Sequence, residues 1–110
     1  MAAHFDGKAP VVRQVYDRLM AALQQFGPVV EEPKKTSIHL VNKSGFAGVH
    51  TRKGYINLEF KADRAVESPR IAKSEQVSRN RFHHLVRLES ADDVDAELLA
   101  WLKEAYELSG

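Results

Sequence analysis

The sequence predicts an α+β two-layer sandwich, in which an antiparallel sheet of four to five strands carries an N-terminal and a C-terminal helix on one face. Three observations predict it. Apolar residues recur at helical spacing near both ends of the chain. Between those ends they alternate with a period of two. The alternating stretches are separated by turns short enough to make sequential strands antiparallel neighbours.

In order along the chain, Val12, Val15, Tyr16, Leu19, Ala22, Leu23 and Phe26 form one buried helical stripe. Pro10 suits the first turn, where a missing N–H costs nothing, and Gly27-Pro28 stops the helix. Val29 to Pro33 is mixed and reads as extended. From Thr36, Ile38 and Leu40 face one side and Ser37, His39 and Val41 the other. Asn42 to Gly45 has turn composition, after which Ala47 and Val49 alternate with Phe46, Gly48 and His50. Lys53-Gly54 is the next turn, and Ile56, Leu58 and Phe60 then alternate with Tyr55, Asn57, Glu59 and Lys61. Residues 62 to 69 are a polar connection ending in Ser68-Pro69. Ile71 to Val77 is the weakest strand, because its alternation is poor. After a turn at Arg79 to Arg81, Phe82, His84, Val86 and Leu88 alternate with His83, Leu85, Arg87 and Glu89. Ser90 and Asp93 form a capping box with aspartate in place of glutamate, which predicts a helix from about Ala91 to Leu108. Its stripe is Val94, Leu98, Trp101, Ala105 and Leu108, widened by Leu102 and Tyr106. No repeat or low-complexity tract interrupts residues 1–110, which form one domain.

At 110 residues, 44% hydrophobic and 28% charged, the chain has enough apolar material for one core, which excludes a disordered chain or a multidomain enzyme. The absence of cysteine excludes a disulfide framework and a thiolate zinc site, and suits a reducing cytosol. The longest aliphatic and aromatic run, Leu98 to Leu102, is too short to span a bilayer, so no membrane partner is expected. Met1 to Asp6 has neither a basic nor an apolar segment, so no secretory signal is expected and the cytoplasm is the expected location. The formal net charge of +1 conceals an asymmetry: residues 1–33 carry −1, residues 34–87 carry +8 and residues 88–110 carry −6.

Strict alternation assigns the sheet face turned away from the helices to Ser37, His39, Phe46, His50, Arg52, Tyr55, Asn57, Glu59, Lys61, His83, Leu85 and Arg87. A two-residue hairpin at Lys53-Gly54 pairs Arg52 with Tyr55, His50 with Asn57 and Gly48 with Glu59. A four-residue turn before it pairs Val41 with Phe46 and His39 with Gly48. The resulting row, His39, Gly48, Glu59, leaves an empty position between two titratable groups, a notch for a small ligand or a phosphate. The plainer account is a solvated sheet face with a bulge at Gly48. His83 and His84 are strand neighbours pointing to opposite faces, so they share no metal ion, and neither a metal nor another cofactor is expected. His84 reads as a satisfied core or edge histidine. No serine nucleophile motif, phosphate loop or carboxylate pair accompanies the histidines, so no residue is assigned a catalytic role.

The basic segment gathers Lys and Arg in turns, strand ends and the outward face, which creates a positive potential for an anionic ligand, nucleic acid or an acidic protein surface. Lysine and arginine also guard sheet edges against aggregation, and the acidic closing segment offers a charge match to a second copy in a homodimer. The candidate binding residues are Lys34, Lys35, His39, His50, Arg52, Tyr55, Glu59, His83 and Arg87. Lys34, Lys35, Arg52 and Arg87 supply charge and Tyr55 a flat contact, with Phe46 a further stacking candidate. The histidines and Glu59 orient the ligand. The expected function is a non-enzymatic binding module. The rivals are a small enzyme or small-molecule receptor using the His/Glu-lined notch at Gly48, and a homo-oligomerisation module.

Several phrases in fixed order also matter: Pro33-Lys34-Lys35-Thr36-Ser37-Ile38, Gly45-Phe46-Ala47, Ile56-Asn57-Leu58-Glu59-Phe60, Ser68-Pro69-Arg70-Ile71, His83-His84-Leu85-Val86-Arg87-Leu88 and Asp95-Ala96-Glu97-Leu98-Leu99-Ala100-Trp101-Leu102. Together, from about Phe5 to Leu108, they resemble an uncharacterised bacterial family, a domain of unknown function of about this length, some of whose members are labelled "predicted transport protein". The resemblance implies a small cytoplasmic α+β domain and no particular reaction. With no membrane span, a transport label would describe at most a soluble accessory domain.

Overall fold

Pro10 opens helix α1 (Pro10–Leu23), and its stripe of Val12, Val15, Tyr16, Leu19 and Leu23 is fully or almost fully buried. The computed structural model describes residues 2–110; Met1, the first residue of the stretch read for a secretory signal, lies outside them. Gly27 adopts φ +146° where the chain leaves the helix, and a Cβ there would collide with the Tyr106 hydroxyl, which donates to Pro28 O at 2.9 Å.

The sheet has six strands, one more than the upper expectation: β1 (Val30–Pro33), β2 (Ile38–Val41), β3 (Gly45–Thr51), β4 (Ile56–Ala62), β5 (Ile71–Ser78) and β6 (Arg81–Leu88). All neighbours are antiparallel, in the order β1-β2-β3-β4-β6-β5. The added strand is the mixed segment before Pro33. All its side chains are exposed, so it carries no period-two signal, and its pairing with β2 defines it. Strand β5 forms the opposite edge and is almost wholly exposed, with register shifts at both ends that explain its poor alternation.

Helix α1 and helix α2 (Ala96–Leu108) share one core with Ile38, Leu40, Val49, Leu58, Phe60 and Leu88 from one sheet face. The closing helix begins five residues later than expected. Ala91–Asp93 is a separate 3-10 turn, in which the Asp93 carboxylate accepts from Ser90 N–H at 3.2 Å and Glu89 N–H at 2.7 Å. Asp95 then caps α2 itself, accepting from Leu98 N–H at 3.0 Å, and this bond, with a further one from Arg70, holds its carboxyl below the ordinary carboxylate range.

A second correction concerns Phe46, which lies in the core at 1% exposure rather than on the open face. Val41 pairs with Gly45 while Leu40 pairs with Ala47, so Phe46 is the extra residue of a bulge. Its ring meets Tyr106 edge-on at 5.4 Å. Trp101 is buried and stacks on Phe60, as expected of a core residue. His84 is fully buried too. Its Nδ1 lies 2.8 Å from Ser74 Oγ, and its Nε2 lies 3.1 Å from Arg64 O and 3.2 Å from Val66 N, so its polar atoms are satisfied.

Candidate functional site

Among the described residues, no helix packs on the second face of the sheet, and at its centre Gly48 makes a gap. Gly48 stands across the ladder from His39 on β2 and from Glu59 on β4. Among the described residues, and apart from its chain neighbours, a Cβ at Gly48 would come within 4 Å of one heavy atom, His50 Nε2 at 3.9 Å. The missing side chain opens a concavity of about 180 Å³, and the side chains of His39, His50, Glu59, Lys61 and His83 line it together with the backbone around Gly48. Each residue arrives by alternation: His39 and His50 from β2 and β3, Glu59 and Lys61 from consecutive outward positions of β4, and His83 from β6 opposite Lys61.

The electrostatics of the cleft are uneven. Glu59 Oε1 lies 3.6 Å from His83 Nδ1, an ion pair whenever the imidazole is protonated. Partial burial lowers the His50 pKa below the ordinary histidine range, against an opposing pull from Glu59. Partial burial and neighbouring Arg81 likewise hold Lys61 below the ordinary lysine range. Among the described residues, no carboxylate lies within ion-pair distance of Lys61 or Arg81. Among the same residues, no group of three or more His, Cys, Asp or Glu is placed to hold a metal ion.

The other candidates form a rim beside the cleft. The β1–β2 turn, closed by Lys34 N–H donating to Ser37 O at 2.7 Å, and the β3–β4 hairpin, closed by Arg52 N–H donating to Tyr55 O at 2.8 Å, lie at one end of the sheet because β2 and β3 run antiparallel. Lys34, Lys35, Arg52 and Lys53 therefore gather there. Arg87 joins them by lying over the Tyr55 ring at 4.2 Å. His50 links rim to cleft, because it pairs with Asn57, which in turn pairs with Arg87. Lys34 is partly engaged by Glu32 at 3.7 Å.

Sequence reasoning left Lys61 out of the candidate set, although it sits two positions beyond Glu59 on the same side of one strand, a signal the alternation already carried. The charge of +8 over residues 34–87 also counts two arginines that turn elsewhere. Arg70 binds Asp95 at 2.7 Å, Glu97 at 3.3 Å and Asp93 O at 2.7 Å, and Arg64 binds Glu104 at 3.2 Å. The acidic closing segment is thus partly neutralised within the chain.

Among the described residues, no helix is long and apolar enough to cross a membrane. No curated protein and no solved structure matches the chain significantly. One family model does match, over residues 1–109, and the chain belongs to that family, the domain of unknown function DUF5655.

Proposed function

We propose that this protein is a non-enzymatic, cytoplasmic binding domain whose open sheet face seats a small anionic ligand in the cleft over Gly48. One observation carries the proposal. Lys61 is a partly desolvated cation with Arg81 as neighbour and no carboxylate partner among the described residues, and it opens into a gap flanked by His39 and His50. Such a cation is stabilised by an incoming anion at little cost, because part of its desolvation is already present in the free protein. The volume of about 180 Å³ falls below the roughly 300–1,000 Å³ of drug-sized pockets. It equals that of about six liquid waters, which suits a phosphate, a sulfate or a small carboxylate.

Titration with sulfate, followed by amide and imidazole resonance shifts, tests this. The shifts should centre on His39, His50 and Lys61, and Lys61→Gln should weaken binding about five- to tenfold. Shifts confined to the rim, or no binding at about 50 mM salt, where anion contacts are strongest, would reject the cleft as the site.

A second reading draws on the rim, where Lys34, Lys35, Arg52, Lys53 and Arg87 surround Tyr55 at one end of the sheet. That grouping suits a nucleic-acid backbone with a base near Tyr55. Short DNA and RNA at about 50 mM salt should then shift rim resonances; silence there would end this reading.

A further inference from the structure

The cleft is not the only concavity on the open face. A second one, of about 80 Å³, lies across β4, β6 and β5 and is lined by Glu59, Lys73, Glu75, His83 and Leu85. Glu59 and His83 line both concavities, so the two adjoin, and the Glu59–His83 pair is the wall between them. The open face therefore carries one divided groove.

Its two halves differ in charge. With the histidines neutral, the larger half holds the unpartnered Lys61, with Arg81 nearby, against Glu59. The smaller half holds Glu59 and Glu75 against Lys73, and Glu75 stands directly across the ladder from His83. Half-buried Leu85, opposite Glu59 and Lys73, supplies its apolar surface. Neighbouring strands lie about 4.8 Å apart, so Lys61 and Glu75, which flank His83 in one ladder row, stand about 10 Å apart at the backbone.

We propose that the smaller concavity is a second subsite for the same ligand, taking an ammonium group, so that the groove selects small zwitterions: an anionic head and an amine joined by a short methylene spacer. The head sits at Lys61, the spacer crosses beside the Glu59–His83 wall and over Leu85, and the amine lies between Glu59 and Glu75. This inference rests on the larger cleft being the anion site.

Two probes that differ only in the amine separate the two claims: ethyl phosphate and 2-aminoethyl phosphate, titrated calorimetrically at pH 7.5 with parallel resonance assignment. The aminoethyl compound should bind about five- to tenfold more tightly. It alone should shift Leu85 and Glu75, and Glu75→Gln should abolish the advantage without changing ethyl phosphate binding. Glu75 is exposed on an edge strand, so that variant keeps the fold. Equal affinities that Glu75→Gln leaves unchanged, with cleft shifts present, would overturn the second subsite and leave the anion site standing. Absence of cleft shifts with either probe would overturn both.

Discussion

Glu59 Oε1 and His83 Nδ1 face each other at 3.6 Å across the β4–β6 ladder, and the same two residues wall the larger concavity of the open face. His50 lines the same concavity, and burial there lowers its pKa against the pull of Glu59. The charged and titratable groups around the cleft are Glu32 on β1, His39 on β2, His50 on β3, Glu59 and Lys61 on β4, Arg81 and His83 on β6, Lys73 and Glu75 on β5, and Arg52 in the hairpin. Sulfate, whose own charge is constant over the range, should therefore bind more tightly as His50 takes up its proton, and because burial depresses the His50 pKa this rise should come below the ordinary value of about 6.5. His50→Gln should flatten that rise. Calorimetric titration at several pH values measures it, and a profile that stays flat below about 6.5 would remove His50 from the site.

Without ligand, the same histidine acts on the fold in the opposite sense. A pKa lowered by folding means that the unfolded chain takes up the proton first. His50 therefore costs nothing above the unfolded value of about 6.5, and it removes stability as pH falls from there toward the folded value. Urea midpoints of the free protein should decline across that window less steeply for His50→Gln than for the parent. Saturating sulfate should restore part of the loss, because it binds the native state alone.

Gly48 offers a test that separates site from scaffold. Its backbone lies outside the left-handed region, and a Cβ would meet His50 Nε2 at an ordinary contact distance of 3.9 Å, so a side chain there is unstrained. Glycine weakens a strand interior, and valine favours one by up to about 1 kcal/mol. Gly48→Val should thus hold or raise the melting temperature while filling the cleft and abolishing anion binding. Lost binding accompanied by a fall in stability of more than about 1 kcal/mol would instead mean that Gly48 serves the fold.

The β3–β4 register follows from the sequence because Lys53-Gly54 leaves a single two-residue hairpin to draw, and Thr51 does pair with Ile56 and His50 with Asn57. The β2–β3 register is legible in the same way as far as His39 with Gly48, and it departs only at the turn, where distant contacts pair Val41 with Gly45 rather than Phe46. Ser109 O accepts from Lys43 N–H at 3.1 Å and Ser44 N–H at 3.2 Å, and Asn42 Nδ2 donates to Tyr106 O at 3.2 Å. The end of α2 thereby shortens the turn, and the extra residue turns Phe46 inward onto Tyr106. A local pattern carries no information about a partner more than sixty positions away. The difference is measurable: Phe46→Ala should cost about 3–5 kcal/mol in denaturant unfolding, as a buried aromatic does. Tyr55→Ala, on the open face, should stay within about 1 kcal/mol.

Charge arithmetic over three segments finds the basic middle and the acidic end, but pairing between them depends on which strand end reaches which helix turn. The structure places Arg70, at the start of β5, against the N-terminus of α2, where its guanidinium serves Asp95, Glu97 and the Asp93 carbonyl together. These contacts raise its pKa against the opposing effect of burial, and its side chain is only 24% exposed. A lysine offers one compact charge and cannot present that planar fork. Because both carboxylates are about half exposed, solvent screens part of the gain, and Arg70→Lys should cost about 1–2 kcal/mol. At about 4–8 °C per kcal/mol for a small domain, this is a fall of several degrees or more in melting temperature. Arg13→Lys, which disturbs an exposed i,i+4 pair with Asp17 and a cation contact over the Phe5 ring at 4.7 Å, both of which a lysine can keep, should change the midpoint by less than about 0.5 kcal/mol. Equal effects of the two substitutions would show that the Arg70 fork contributes no more than an ordinary surface ion pair, and that α2 is held by its apolar stripe alone.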